Sequence, residues 1–233
     1  MTPASRSRRR GKPSRSVSSA DLCTRYARIY TAAITDVLDK RGYYNQTLPH
    51  DIVPLTADSR LAGVAFPASG KPSRNTDTEP AIRAFLTLLG AVPRDAVLVV
   101  QSNDDVAAHF GELSAVAMKA RGVRGVVVDG ATRDAAYIMR ERFPLFCRYR
   151  TPQDSLPRWL AVEWGRPVTI GEVRVSPGDI VVGDFDGVAV VPKDLALDVL
   201  LEGEALLDAE NQVRDAVRKG MAPLAAYEKF GVF

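Results

Sequence analysis

Arg133 and Asp134 stand side by side at the end of "GVVVDGATRD" (125–134), and Glu112 lies 21 positions before Arg133, next to Gly111. A cation and an anion delivered at the end of a valine run suit a small acidic ligand. Arg133 can hold a carboxylate or a developing oxyanion through two parallel hydrogen bonds. Asp134 is a hard oxygen donor for Mg²⁺ or Mn²⁺, which take one or two carboxylates and fill their other positions with water. A helix starting at Gly111 offers free N–H groups and the positive end of its dipole, and glycine lets an anion come close to the backbone. The chain has two histidines, His50 and His109, well separated in sequence, which argues against a histidine-built zinc site. By spacing alone the same residues also fit a solvated ion pair and a first-turn acid favoured by the helix dipole. Asp184 and Asp186 in "GDFDG" read as turn residues, and His109, which could sit near the site, as a residue with a local structural or surface role.

The surrounding pattern explains how such residues would meet. Residues 22–41 carry helical spacing, broken near Thr31 and stopped by Gly42. "RLAGVAFPAS" predicts a strand over 60–66 ended by Pro67, followed by a polar loop over 67–79 long enough to act as a flap. Then come a helix (80–89), a buried strand (96–102), a helix (111–122), a second strand (125–130) turning through Gly130, a helix (134–142) and a third strand (143–149). That β-α-β-α-β series implies parallel strands with right-handed crossovers. The loops carrying Gly111-Glu112 and Arg133-Asp134 then emerge at one carboxyl edge, where α/β sheets bind ligands. Residues 166–192 read as short antiparallel strands between Gly-Glu, Pro-Gly and Asp-Gly turns. Asp194 is placed to cap a long helix over 195–219. The expectation is a single mixed α/β domain over 21–233.

Net charge is +3, but six of the 31 basic residues fall in the first twenty positions with no acid among them. The rest of the chain carries 25 basic against 28 acidic residues, so the body gives no general basis for nucleic-acid binding. "SRSRRRGKPSRSVSS" has the composition of a disordered tail over residues 1–20; a transit peptide or an RNA-binding arm would look similar. No apolar run is long enough to span a bilayer. Cys23 and Cys147 are too few for a disulfide framework, and are expected to be buried in a reducing, cytoplasmic setting.

"GELSAVAMKARGVRGVVVDGATRD" (111–134) and "SPGDIVVGDFDGVAVVP" (176–192) resemble two successive segments of the RraA-like family, which holds 4-hydroxy-4-methyl-2-oxoglutarate aldolases and regulators of ribonuclease activity A. The likeness runs from about residue 25 to 220. It implies a swivelling β/β/α fold, homotrimers or homohexamers with sites between subunits, and a metal-dependent lyase. In that implied reaction a 4-hydroxy-2-oxo acid is split to pyruvate through its enolate, and oxaloacetate is decarboxylated through the same intermediate. The resemblance assigns Asp134 to Mg²⁺ or Mn²⁺, directly or through water, and Arg133 to the enolate. It assigns the backbone N–H groups of Gly111, Glu112, Leu113 and Ser114 to the substrate carboxylate, and Glu112 to the water that reprotonates the enolate. Glu210, on the long C-terminal helix, is the residue expected to reach a neighbouring subunit's site. Two departures stand out: Glu112 occupies a position that is often aspartate, and "QSNDD" (101–105) lies where the family varies. The alternatives are a regulator that binds a ribonuclease or another protein without chemistry, or a metal-dependent enzyme of another small organic acid.

Overall fold

The computed structural model describes residues 17–233, so most of the expected basic tail lies outside the described residues. Helix α1 (Ser19–Tyr26) starts where the Ser18 hydroxyl accepts the Asp21 N–H at 3.1 Å, and α2 (Thr31–Lys40) follows after the expected break. Next come β1 (Val53–Pro54), β2 (Leu61–Pro72), α3 (Glu79–Ala91), β3 (Ala96–Gln101), β4 (Ala108–Phe110), α4 (Glu112–Ala120), β5 (Gly125–Thr132), α5 (Ala135–Glu141) and β6 (Leu145–Arg150). The second half holds β7 (Trp159–Trp164), the β8–β9 hairpin (Val168–Ile170, Val173–Val175), β10 (Ile180–Asp184), β11 (Gly187–Val191), α6 (Ala196–Arg218) and α7 (Pro223–Phe230).

Nine strands form one mixed sheet in the order β1-β6-β5-β3-β2-β10-β11, with β4 joined to β5 and β7 to β2. Its centre, β6-β5-β3-β2, is parallel, and β10, β11, β7 and β1 are antiparallel additions. The valine runs are explained by burial on both faces. Leu98, Val126 and Val128 face α3, α4 and α5, whereas Val97, Val99 and Val127 face the β8–β9 hairpin. A third cluster packs Tyr26, Ile34, Leu38 and Leu200 on β10 and β11. Each such side chain contributes about 1.5–3 kcal/mol on burial. The result is the layered arrangement of a swivelling β/β/α domain with a long helix near its C-terminus. No helix among the described residues is long and apolar enough to cross a membrane.

Four expectations need correction. The first strand does not end at Pro67, and there is no long polar flap over 67–79: β2 runs to Pro72. Proline fits there because Pro67 lies between two partners, β10 ending at Val64 and β7 beginning at Ala68. Its carbonyl accepts from Gly165 N–H, so the missing N–H falls on the same edge, where no partner strand is paired. The chain does not turn at Gly130 either, since β5 continues to Thr132 through a bulge between Val128 and Ala131. Gly130 is needed for close packing, because a Cβ there would lie 2.7 Å from both His109 Nδ1 and Ser102 Oγ. Finally, Asp194 does not cap the long helix. It sits in a 3-10 turn, Lys193–Leu195, whose first N–H is held by buried Asp179 at 3.0 Å.

Asp184 is a turn residue with a further task. It is buried at the β10–β11 turn and accepts Thr31 N–H (2.8 Å), Thr31 Oγ1–H (2.7 Å) and Asp186 N–H (3.1 Å). Helix α2 has no cap from its own N-cap residue, Tyr30, and takes this one from across the fold. Cys23 and Cys147 are free, buried thiols, and burial pushes Cys147 up to about 11.

Candidate functional site

The carboxyl edge of the parallel strands gathers the residues singled out by the sequence. Phe110 O, at the end of β4, accepts both Arg133 N–H (3.0 Å) and Thr132 Oγ1–H (2.9 Å). Those two bonds fasten the end of β5 beside Gly111, the residue that precedes α4. Asp134 then adopts a left-handed conformation (φ 55°, ψ 27°), uncommon outside glycine and most tolerable for Asp and Asn. The reversal turns its carboxylate back to α4, where Oδ2 accepts Glu112 N–H at 3.3 Å. Gly111 is required by that approach: a Cβ there would stand 2.9 Å from Asp134 Oδ2.

Arg133 reaches Asp134 Oδ2 with Nε at 3.7 Å and Asp154 Oδ1 with Nη1 at 3.4 Å. These separations are ion-pair contacts, too long to be tight hydrogen bonds. The guanidinium is therefore steered by two carboxylates without having its donors consumed. The Arg133 and Asp134 side chains are 37% and 44% exposed, so both are open to a ligand. They stand where two adjoining depressions meet. One, of about 180 Å³, is lined by Gly111 to Ser114, by Asp154 and by apolar residues of α3. The other is lined by Thr132, Arg150, Thr151 and Pro152.

His109 forms part of the first depression's floor. Its buried ring meets Asp104 Oδ2 through Nε2 at 3.0 Å and packs edge-on to Trp159, with centroids 5.1 Å apart. Asp104 Oδ2 also accepts Ala107 N–H at 2.8 Å, so the carboxylate is the acceptor and Nε2 the donor. Nδ1 is buried with no protein partner among the described residues. Burial holds the imidazole below its ordinary range, against the opposing pull of Asp104 and Asp129. The unfolded chain therefore takes up a proton at His109 as pH falls through about 6.5, before the folded chain does. This contribution leaves stability intact above that pH and removes it progressively below. Urea midpoints between pH 7.5 and 5 should fall less for His109→Gln than for the parent; equal falls would show that His109 is not responsible.

The structure thus brings Gly111, Glu112, Leu113, Ser114, Arg133 and Asp134 into one cleft. It does not bring Glu210 there within one chain. Glu210 lies on α6, 3.8 Å from Arg214, in a separate groove with Val213, Val217 and Phe233. Sequence reasoning missed Asp154 and the α3 wall. Asp154 belongs to an irregular stretch whose only pattern is Asx-turn chemistry, its Oδ1 accepting Leu156 N–H at 3.2 Å. Among the described residues no group of three or more His, Cys, Asp or Glu is arranged to hold a metal. The donor set present, one partly exposed carboxylate beside a second on the same guanidinium, suits a hard cation that keeps most of its water.

Comparison with known proteins adds an independent line. The family model described as "RraA-like: Aldolase/RraA" matches residues 31–190. A protein of Halalkalibacterium halodurans named "Putative 4-hydroxy-4-methyl-2-oxoglutarate aldolase" is 30% identical over 213 residues, 91% of this chain and 96% of its own length. A crystal structure described as one of novel cellulases from microbes of the gut ecosystem has a TM-score of 0.80 at 31% identity, over 87% of this chain and 90% of that one. Streptomyces coelicolor RraAS2, described as an unusual member of the RNase ES inhibitor RraA protein family, has a TM-score of 0.74 at 26% identity, over 85% and 98%.

Proposed function

The chain belongs to the RraA-like Aldolase/RraA family, and we propose that it is a divalent-metal-dependent lyase releasing pyruvate from 4-hydroxy-2-oxo acids. 4-Hydroxy-4-methyl-2-oxoglutarate falls within that class, and oxaloacetate would be decarboxylated by the same site. The observation that carries this reading is the Arg133 guanidinium, held beside Asp134 and the start of α4 with its donors still available. Of the backbone N–H groups at Gly111 to Ser114, that of Glu112 is taken by Asp134, so those of Gly111, Leu113 and Ser114 would receive the C1 carboxylate at the positive end of the helix dipole. Arg133 faces the C2 oxygen and binds it more strongly as it gains negative charge, which is the condition for lowering a barrier rather than merely binding substrate.

Asp134 would hold Mg²⁺ or Mn²⁺, with Glu112 positioned towards its water. When bound, such an ion supplies Lewis-acid polarisation of the keto oxygen. Asp154 steers Arg133, and Glu112 orients the water that returns a proton to C3. No lysine lines the cleft among the described residues, so a Schiff-base route has no nucleophile there. Sugar hydrolysis, which the cellulase description of one relative would suggest, wants two carboxylates facing each other across a glycosidic bond. Here Asp134 and Asp154 both engage one arginine. RraA-like proteins are commonly oligomeric. A homotrimer or homohexamer, with Glu210 reaching a neighbouring subunit's cleft, belongs to the same proposal, as does a cytoplasmic location.

The test is pyruvate release from both substrates with Mg²⁺, Mn²⁺ or EDTA, in the parent and in Asp134→Asn. EDTA should abolish turnover, either metal should restore it, and the variant should lose roughly two orders of magnitude, the scale of one lost electrostatic stabiliser. Turnover untouched by both EDTA and Asp134→Asn would remove the metal from the reading. A folded protein with no turnover under any condition would place the chain with the family's non-catalytic regulators.

A further inference from the structure

The amino edge of the parallel strands, opposite the cleft, carries another depression, of about 400 Å³. It opens between the 55–60 loop that leads into β2 and the 139–144 stretch that leads from α5 into β6. Its volume lies within the range of small-molecule pockets. Buried Phe143, half-buried Leu55 and the Met139 side chain give it an apolar part. Arg60 and Arg142 are exposed at its rim, and among the described residues neither has a carboxylate within ion-pair distance. Arg25, Arg41 and Arg124, by contrast, each close on a carboxylate at 2.6 Å. The single acid of the lining is Asp58, held below its ordinary range chiefly by the Thr56 hydroxyl, with Arg142 a smaller influence. Two guanidiniums against one carboxylate leave an excess of positive charge. The turns into β3 and β5 at the same edge add Arg94 and Arg121, the latter fastened only to the carbonyls of Gly90 and Val92.

Arg142 is placed there at a conformational cost. It closes α5 in the left-handed region (φ 52°, ψ 38°), at the C-terminal position that glycine commonly fills. Strain of this kind persists at ligand clamps and switches. Helix α5 also separates this depression from the cleft. Asp134 precedes its first residue and Arg142 follows its last, and a helix of 7 residues is roughly 10 Å long. Beside the two guanidiniums, the Thr56 and Ser59 hydroxyls share a hydrogen bond of 2.8 Å. Two planar forks match the oxygens of a phosphate dianion, whereas one fork already saturates a carboxylate. We propose that this depression binds an organic phosphate monoester, its phosphate between Arg60 and Arg142 and its apolar body against Leu55, Met139 and Phe143. Burial of that body adds to the affinity in proportion to the area removed from water. The proposal is independent of the lyase reading, since it uses no residue of the Arg133 cleft.

Phenyl phosphate is a suitable probe, with inorganic phosphate and benzoate representing its two halves. In calorimetric titration of the full chain at about 0.15 M ionic strength, where loose surface attraction is screened, it should bind at least about tenfold more tightly than either. The double variant Arg60→Gln, Arg142→Asn should lose at least about tenfold in affinity, the scale of one charge-assisted hydrogen bond. Asparagine keeps the left-handed backbone at position 142 accessible, so the fold is left in place. Arg133→Ala should bind the probe as the parent does. Loss of binding in Arg133→Ala would put the phosphate in the cleft and overturn the proposal. Equal affinity for inorganic phosphate would mean an ion on a basic surface only, and equal affinity for benzoate a site with no use for a phosphate; either result overturns it. Absence of binding by all three probes does so outright. A changed oligomeric mass of the double variant by light scattering would make the rim a contact between copies of the chain, and likewise overturn it.

Discussion

Arg133→Ala should lower kcat/KM for pyruvate release by about 10²–10³-fold, with most of the loss in kcat. The size follows from placement. On the lyase reading proposed above, the guanidinium meets charge that develops in the transition state and is scarcely present in the bound keto acid, so its removal raises the barrier more than it weakens binding. Stability should barely move, because both of its ion pairs are partly solvated and longer than hydrogen bonds, and such pairs are worth about 0–1 kcal/mol. Arg133→Lys should recover only part of the loss, since a point charge cannot offer two parallel donors. Steady-state kinetics beside a thermal melt decides the matter. A raised KM with kcat intact would reassign Arg133 to ground-state binding of the carboxylate.

The largest effect on stability is expected far from any charge, at Gly70→Ala. Gly70 follows the bulge where the register of β2 against β7 shifts. A Cβ there would fall 1.9 Å from Trp159 Cζ2 and 2.7 Å from Leu160 O, so neither ring nor backbone can stay in place. Trp159 is buried and donates through Nε1 to Ser102 O at 2.7 Å. Overpacking of this kind costs typically 1–3 kcal/mol and the lost hydrogen bond about 1 more. A total near 3 kcal/mol lowers the melting temperature by roughly 6–12 °C in a chain of this length. Because the displaced ring also packs against His109, the floor of the cleft should loosen and KM should rise even at temperatures where the protein stays folded. A melt within a degree of the parent would show that the Trp159 ring has room to move.

Much of this was legible in the sequence, for physical reasons that differ by region. The parallel core was readable because β3 and β5 are valine runs of strand length separated by one helix, a pattern that admits few other topologies. Gly111, Glu112, Arg133 and Asp134 were readable because two such strands must deliver their following loops to one edge. Pro67 misled because a proline looks like a strand end when only one partner is imagined; its strand in fact exchanges one neighbour for another at that residue. Asp194 misled because capping was assigned by proximity along the chain, whereas buried Asp179 supplies the acceptor from fourteen residues earlier. Asp154 and the α3 wall were invisible because nothing in an irregular segment, or on the outer face of one helix, announces what lies across a cleft.

The left-handed backbone at Asp134 bears on how such a fold can change its role over generations. Of the residues that could replace this aspartate, asparagine shares its tolerance of positive φ, keeps an oxygen for the Glu112 N–H, and is one base change away. That substitution strips the formal charge while leaving the local chain path undisturbed. Alanine or a branched residue would instead carry a conformational penalty of order 1–3 kcal/mol. A lineage holding both catalysts and binding proteins therefore has an unobstructed route between them: the scaffold can retire its chemistry at this position and remain available, fully folded, for selection on its surfaces.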